Sequence, residues 1–65
     1  MITINGKTLT LSAPKTIGAY LDENNYRRTY IAVEKNGEIL PKSEYDTTYL
    51  NDGDTIEIVS FVGGG

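Results

Sequence analysis

The sequence predicts an α+β domain in which one helix packs on one face of a mixed sheet of four to five strands. Two observations indicate this class. The apolar patterns follow one another in the order β-β-α-β-(short β)-β, with period-two alternation in the strands and a helical period in one segment. The apolar sides of the first hairpin, the helix and the last strand close a single core if the helix covers the sheet.

The first predicted element is an antiparallel hairpin over residues 1–11. Apolar and polar residues alternate on both sides of Asn5-Gly6, with apolar positions at Ile2, Ile4, Leu9 and Leu11. Asn-Gly favours a type I′ turn, because both central residues of that turn need a positive φ. The hairpin therefore turns at Asn5-Gly6.

The next element is a short helix that begins after Thr16, a plausible N-cap residue. Ile17, Tyr20 and Leu21 recur at helical spacing and form one apolar face. Gly18 is expected to weaken the helix, and one of the asparagines at 24 and 25 is expected to end it in a left-handed conformation. A helix this short depends on packing against the sheet.

The second half of the chain contains the remaining strands. A strand over 30–35 is followed by an Asn36-Gly37 turn and by a short strand at Ile39-Leu40, which Pro41 stops. An irregular turn over 42–46 then leads to an edge strand over 47–50. A turn over 51–54 precedes the last strand, over 55–62.

These elements together favour the β-grasp arrangement, in which the first and last strands pair in parallel at the centre of the sheet. A five-stranded barrel is the alternative, but it leaves the helix without a face to cover. We expect the folded domain to span residues 1–62 and the glycines of 63–65 to form a flexible tail, since glycine has no side chain to pack.

Composition excludes several classes of function. The chain has no cysteine and no histidine, so it lacks a thiol nucleophile and the residues most used for zinc binding and for proton transfer near neutral pH. Six basic against nine acidic residues give a net charge of −3, which argues against nucleic-acid binding. No run is long enough to cross a membrane, and no secretory signal is present, so we expect a cytoplasmic protein. Packing is the expected role of the tyrosines, and no metal or cofactor site is predicted.

The last strand predicts a docking surface. If Ile56 and Ile58 face the helix, Val59 and Phe61 face outwards, where a one-helix domain has nothing to cover them. We therefore expect Val59, Phe61 and Val62, at the end of this strand, to bind a partner. Exposed apolar residues scattered over a surface are the ordinary alternative.

The glycine tail predicts a reactive group that is not a side chain. With side-chain chemistry nearly excluded, the α-carboxylate of Gly65 remains, and a partner enzyme would activate it by joining it to AMP from ATP. Gly63 and Gly64 add no bulk, so such a tail threads into a narrow active site. A frayed terminus is the alternative.

Three motifs and the glycine tail resemble the ThiS family of ubiquitin-like sulfur carriers, which serve thiazole formation in thiamin biosynthesis. The motifs are Ile-x-Ile-Asn-Gly-Lys at the start, Val33-Glu34-x-Asn36-Gly37-Glu38-Ile39-x-Pro41-Lys42 in the middle, and Asp52-Gly53-Asp54-x-Ile56-Glu57-Ile58 before the tail. The resemblance covers the whole chain.

The resemblance implies a mechanism and a set of partners. A ThiF-like adenylyltransferase would adenylate the Gly65 carboxylate with ATP, and a persulfide from a cysteine desulfurase would supply sulfur to give a thiocarboxylate. Thiazole synthase would then take that sulfur. The chain itself would be no enzyme, would bind no cofactor, and would be a monomer when alone.

Three other functions stay open from the sequence. The chain would supply sulfur to molybdopterin synthesis or another thiolation pathway, or it would be a ubiquitin-like modifier joined to lysines of target proteins. It would otherwise be a plain interaction module with a disordered tail.

Overall fold

The computed structural model describes residues 1–61 of the chain. The strands are β1 (Ile2–Ile4), β2 (Lys7–Leu9), β3 (Ile31–Lys35), β4 (Glu38–Leu40) and β5 (Thr55–Ser60). The helix α1 spans Ile17–Glu23, and two 3-10 turns span Arg28–Tyr30 and Lys42–Glu44.

The five strands form one sheet in the order β2-β1-β5-β3-β4. β1 pairs in parallel with β5 and antiparallel with β2, while β3 pairs antiparallel with both β5 and β4. This confirms the predicted β-grasp sheet with its first and last strands paired near the centre. The barrel alternative is wrong, because β2 and β4 lie at opposite edges of the sheet over the described part of the chain.

Both Asn-Gly turns have the predicted conformation. Asn5 and Gly6 have φ values of 50° and 82°, and Asn36 and Gly37 have φ values of 54° and 86°. Asparagine and glycine tolerate this left-handed region better than other residues do. The two hairpins β1-β2 and β3-β4 are thus closed by the same turn chemistry.

Helix α1 begins and ends as the sequence predicts. The Thr16 Oγ1 accepts a hydrogen bond from the Ala19 backbone N–H at 3.1 Å, which makes Thr16 the N-cap. Asn25, just beyond the helix, has a φ of 63°. The buried side of the helix carries Ile17 and Leu21, which contact the inner face of the sheet in one core.

One expectation about the helix was incomplete. Gly18 lowers helix propensity, but it also leaves room for an ion pair: a Cβ on Gly18 would meet the Asp46 carboxylate and would lie 2.6 Å from the Arg28 Nη2. The Gly18 backbone N–H donates to the Tyr45 carbonyl at 2.8 Å, so the helix lies directly against this loop.

The core is continuous and lies between α1 and the sheet. Its side chains come from β1, α1, β3, β5 and the segment that follows β4: Ile2, Ile4, Ile17, Leu21, Ile31, Val33, Tyr45, Leu50, Ile56 and Ile58. Tyr45 is the largest of them and is almost fully buried. The predicted packing role of tyrosine is thus confirmed at Tyr45, whereas Tyr30 and Tyr49 are exposed.

The predicted edge strand over 47–50 is wrong. Tyr49 forms only an isolated bridge with Thr16, and the Leu50 N–H donates to the Lys15 carbonyl at 3.0 Å. The Thr48 carbonyl accepts from the Ile17 N–H at 2.8 Å. The polar backbone groups of this segment are satisfied at the start of α1, so the segment lies beside the helix and joins no strand.

In the described residues, no helix has the length and apolarity needed to span a bilayer. The same residues contain no group of three or more Asp or Glu side chains placed to hold a metal ion.

Candidate functional site

The outward alternation of β5 is confirmed. Ile56 and Ile58 are buried in the core, whereas Val59 and Phe61 have 50% and 60% of their surface exposed. The pairing of β5 with β3 puts Val59 opposite Ala32 and Glu57 opposite Glu34. We call the sheet face opposite α1 the outer face.

The outer face is arranged in rows that cross neighbouring strands. One row contains Glu57, Glu34 and Ile39, taken from β5, β3 and β4. The next row contains Val59 and Ala32. Phe61 follows one row further on, where its backbone N–H donates to the Tyr30 carbonyl at 3.1 Å. The face therefore changes from acidic to aliphatic to aromatic towards the end of β5.

Asn5 holds β5 on the side where β1 ends. β1 stops at Ile4, but the Asn5 side chain continues the pairing: its Oδ1 accepts from the Ile58 N–H at 2.7 Å, and its Nδ2 donates to the Ile58 carbonyl at 3.2 Å. The Asn5 backbone N–H donates to the Ile56 carbonyl at 2.9 Å. A turn residue thus serves as the last pairing position of β5 on this side.

Asn36, at the second Asn-Gly turn, holds the start of β5. Its Oδ1 accepts from the Thr55 N–H at 2.9 Å, and its Nδ2 donates to the Asp54 carboxylate at 3.0 Å. β5 is therefore held at its start by Asn36 and at Ile58 by Asn5, and the backbone of each asparagine also makes a hairpin turn. The sequence predicts the turns but carries no signal for these side-chain contacts.

Lys42 lies beside the end of β5. Its Nζ donates to the carbonyls of Arg28 and Ile31 at 2.5 and 2.6 Å, and it lies 6.0 Å from the centre of the Phe61 ring. The Arg27 guanidinium lies 5.1 Å from the centre of the Tyr30 ring. Two cations therefore flank the aromatic end of the outer face. Sequence analysis missed this role of Lys42, because the contacts join segments far apart in the chain.

Arg28 connects the helix to the loop that follows β4. Its guanidinium donates to both carboxylate oxygens of Asp46 at 2.8 and 2.9 Å, and to Asp22 at 3.0 and 3.2 Å. The hydrogen bonds from Arg28 lower the pKa of Asp46 below its ordinary value, and the two carboxylates raise the pKa of Arg28. The role of Arg28 in this network is therefore structural: it joins Asp22 of the helix to Asp46 of the loop.

Asp54 is the one buried ionisable carboxyl of the described chain, with 7% of its surface exposed. Burial alone would raise its pKa. Hydrogen bonds from Asn36 and from the Asn51 N–H, together with the Lys35 ammonium at 3.6 Å, lower the pKa below the ordinary value of an aspartate. Asp54 therefore stabilises the turn before β5, and its buried carboxylate has hydrogen-bond partners on both oxygens.

The remaining predicted site residues lie outside the described residues. These are Val62, as part of the docking surface, Gly63 and Gly64, as the threading tail, and Gly65, as the carrier of the reactive carboxylate. Their roles, and the domain boundary at residue 62, stay predictions.

The sheet order, the single helix and the exposed end of the central strand define a ubiquitin-like β-grasp domain. The family model described as "ThiS family" matches residues 2–65. The chain belongs to the ThiS family.

Comparisons with individual proteins also place the chain in the ThiS family. The chain is 39% identical to the sulfur carrier protein ThiS of Bacillus subtilis (strain 168), over the full length of both. The crystal structure of the thiamine biosynthesis protein ThiS from Geobacter metallireducens superposes with a TM-score of 0.80 at 34% identity, covering 98% of this chain and 97% of that one.

A further similarity is to part of a larger protein. The chain is 47% identical over 64 residues to a thiazole synthase of Paramagnetospirillum magneticum, and this match covers 98% of the chain but 20% of that protein. The chain thus spans about a fifth of the length of this relative.

Proposed function

We propose that this chain is a sulfur carrier protein for the thiazole moiety of thiamin. The observation that carries the proposal is the full-length match to the Bacillus sulfur carrier ThiS, at 39% identity. The absence of cysteine and histidine from the chain agrees with it, because the sulfur would be held at the terminus and not on a side chain. The chain is then a co-substrate of other enzymes and no catalyst.

The chemistry takes place at Gly65. Its carboxylate attacks the α-phosphorus of ATP on a ThiF-like adenylyltransferase, which forms an acyl adenylate and releases pyrophosphate. The terminal sulfur of a persulfide made by a cysteine desulfurase attacks the acyl carbon, and AMP leaves. A thiol reductant then cleaves the new disulfide, which leaves a thiocarboxylate. This chain binds no cofactor, and ATP is consumed by the partner.

The end of β5 presents the tail to these enzymes. The exposed Val59 and Phe61 form the docking surface with Val62, and Gly63 and Gly64 pass through the narrow entrance of the active site. β5 is paired on both sides up to Ile58, and the Phe61 N–H donates to the Tyr30 carbonyl, so the body of the domain holds the chain up to the last described residue. A fixed starting point reduces the conformational freedom lost on binding.

Thiazole synthase is the proposed acceptor of the sulfur. Two relatives named thiazole synthase each match 98% of this chain over 20% of their own length. In these proteins a region similar to this chain belongs to the same polypeptide as the rest of the enzyme, which supports a direct contact between the two. We place the carrier in the cytoplasm, where ATP is available, and expect it to be a monomer when alone.

Mass spectrometry of the chain from its native cells tests the chemistry. We expect a population whose mass corresponds to exchange of one oxygen for sulfur at Gly65, and a thiamin requirement in cells that lack residue 65. A stable amide to other proteins would support a protein modifier instead, and a molybdopterin defect would assign the carrier to that pathway.

Phe61→Ser tests the docking surface. We expect weaker binding to the adenylyltransferase with an unchanged melting temperature, because the ring is exposed in the free protein. Unfolding of this variant would instead show that Phe61 belongs to the core.

A further inference from the structure

Asn36 lies in a turn that makes its side-chain amide chemically labile. Asparagine is a thermolabile residue, because the backbone nitrogen of the next residue can attack the side-chain amide carbon. The next residue here is Gly37, which has no side chain to hinder that attack. Both residues are exposed, and a Cβ placed on Gly37 would meet no atom within 4 Å. The turn is therefore open to water and to the reaction.

The same amide is held by one donor and one acceptor. Its Oδ1 accepts from the Thr55 N–H at 2.9 Å, and its Nδ2 donates to the Asp54 Oδ1 at 3.0 Å. The other oxygen of Asp54 accepts from the Asn51 N–H at 2.8 Å. An amide suits this place because it accepts on one side and donates on the other, whereas a carboxylate can only accept.

We propose that Asn36 is a site of spontaneous deamidation, and that the new carboxylate, set against Asp54, loosens the start of β5. The Gly37 nitrogen attacks the Asn36 Cγ, the Cγ–Nδ2 bond breaks, and ammonia leaves with the proton of the Gly37 N–H. Water then opens the cyclic imide at one of its two carbonyl carbons. The product at position 36 is an aspartate or an isoaspartate, and no oxidant or reductant takes part.

The surroundings of Asn36 do not suit this product. The donor to Asp54 is lost, and two carboxylates would face each other across the 3.0 Å that now separates Nδ2 from the Asp54 Oδ1. Like charges this close disfavour ionisation of both groups. The Lys35 ammonium, 3.6 Å from the Asp54 Oδ1, offsets only part of the repulsion. An isoaspartate would also lengthen the backbone of the turn.

Asn5-Gly6 provides an internal comparison. Asn5 is exposed, and a Cβ on Gly6 would also meet no atom within 4 Å. The Asn5 amide, however, binds the backbone of Ile58 and no carboxylate. Deamidation there would remove one hydrogen bond without creating a pair of like charges. The two Asn-Gly turns thus share a reaction but differ in its consequence.

Peptide mapping by mass spectrometry, after incubation of the full chain in mildly alkaline buffer, tests the reaction. We expect a growing population in which OH replaces the NH2 of residue 36, with separate aspartate and isoaspartate forms. A synthetic peptide of residues 30–42 should react about tenfold faster or more, because the folded turn must open before the amide can leave Thr55 and Asp54. An intact Asn36 in the folded chain, once the peptide has reacted completely, overturns the assignment.

Asn36→Asp imitates the aspartate product. We expect its melting temperature to be about 5–15 °C below that of the wild-type chain. Asn25→Asp is the matched control, since it adds the same charge at another asparagine with positive φ, whose side chain makes no hydrogen bond to a described residue. This control should shift the melting temperature by less than about 4 °C. Equal shifts in the two variants would assign the effect to net charge and overturn the role of Asp54.

The double variant N36D/D54N exchanges the two side chains and tests the contact directly. An amide at position 54 can donate to a carboxylate at position 36 and accept from the Asn51 N–H, while that carboxylate accepts from the Thr55 N–H. The double variant should therefore melt above both single variants and within a few degrees of the wild-type chain. A double variant no more stable than Asn36→Asp would overturn the inference.

Discussion

Gly18 is a residue at which two effects of opposite sign meet. Glycine inside a helix costs about 1 kcal/mol relative to alanine. At this position a Cβ would meet the Asp46 carboxylate and the Arg28 guanidinium, which are bound to each other. These groups are the ends of flexible side chains, so a methyl group would displace the ion pair and leave the backbone where it is.

Gly18→Ala should therefore leave the free energy of unfolding nearly unchanged, because the gain in helix propensity and the loss of the exposed ion pair have opposite signs. In an Asp46→Ala background the obstruction is reduced, and the same change should stabilise by about 0.5–1 kcal/mol. Urea unfolding of the four proteins in this cycle measures the difference. Equal effects in both backgrounds would show that Asp46 and Gly18 are not coupled.

Asp54 makes the free energy of unfolding depend on pH in the acid range. Its folded-state pKa lies below that of the unfolded chain, so its contribution is present above the unfolded pKa, roughly 3.9, and is lost as pH falls through the lower folded value. Asp54→Asn should cost about 1–3 kcal/mol at pH 7, because an amide NH2 would replace an acceptor that receives N–H donors.

Melting temperatures between pH 7 and pH 2 check this prediction. The wild-type chain should lose more stability on acidification than Asp54→Asn does, so the two curves converge at low pH. Parallel curves over the whole range would mean that Asp54 has the same pKa in the folded and unfolded chains.

For single residues, the sequence predicts which face of the sheet a side chain lies on better than it predicts which residues that side chain contacts. Strand alternation predicts which of Ile58 and Val59 is buried, because the period of a strand is fixed by its backbone. The close approach of Gly18 to Asp46 has no local signal in the sequence, since Asp46 lies in a distant part of the chain. Helix propensity alone predicts only that Gly18 destabilises the helix.

Among the elements, β5 depends on Asn5 for pairing beyond the end of β1. Asn5→Gly keeps a residue that adopts positive φ easily but removes the two hydrogen bonds to Ile58. We expect a loss of about 1–2 kcal/mol in the free energy of unfolding. Asn25→Gly is a control of the same kind, because Asn25 also has positive φ and makes no side-chain hydrogen bond to a described residue.

Amide hydrogen exchange locates the effect of Asn5→Gly. The Ile58 amide should exchange faster, whereas the Val59 amide, which faces β3 by the alternation of an antiparallel ladder, should keep its protection. Loss of protection at both amides would indicate that the whole strand has opened.

The elements also show where prediction from sequence fails. Both Asn-Gly turns, the helix and the last strand were predicted, because each has a local signal in turn chemistry or periodicity. The segment 47–50 was wrongly predicted as a strand, since its β-forming residues satisfy their backbone groups at Lys15 and Ile17. Such a partner is not visible in the segment's own sequence.

The domain as a whole is expected to be only marginally stable. A domain of 65 residues is expected to unfold with a free energy of about 3–10 kcal/mol. Leu21 is fully buried, with 0% of its surface exposed. Leu21→Ala should cost about 2–5 kcal/mol, which is a large part of that total.

Calorimetry should accordingly show a strongly lowered melting temperature, or no folded state, for Leu21→Ala. Ile39→Ala removes a similar side chain from the exposed outer face and should leave the melting temperature within a few degrees of the wild-type value. A small effect of Leu21→Ala would indicate that the core closes around the missing side chain.

At the scale of the molecule, the predicted fold and family are confirmed by the sheet order and by the ThiS family match. The order of elements was sufficient for the fold because few arrangements bury one helix face and one sheet face together. The Glu34–Glu57 pair could not be predicted without the register of β3 and β5, and a register is a property of two strands at once.

The central position of β5 also has a mechanical consequence. A protein held by its tail experiences tension, and tension applied at Phe61 is transmitted along β5 between β1 and β3. The hydrogen bonds of these ladders are perpendicular or inclined to the strand, so they resist the pull together as a shear load and do not open one after another. In the proposed function, an enzyme that holds the tail would therefore pull on a strand that is hydrogen-bonded to a neighbour on each side.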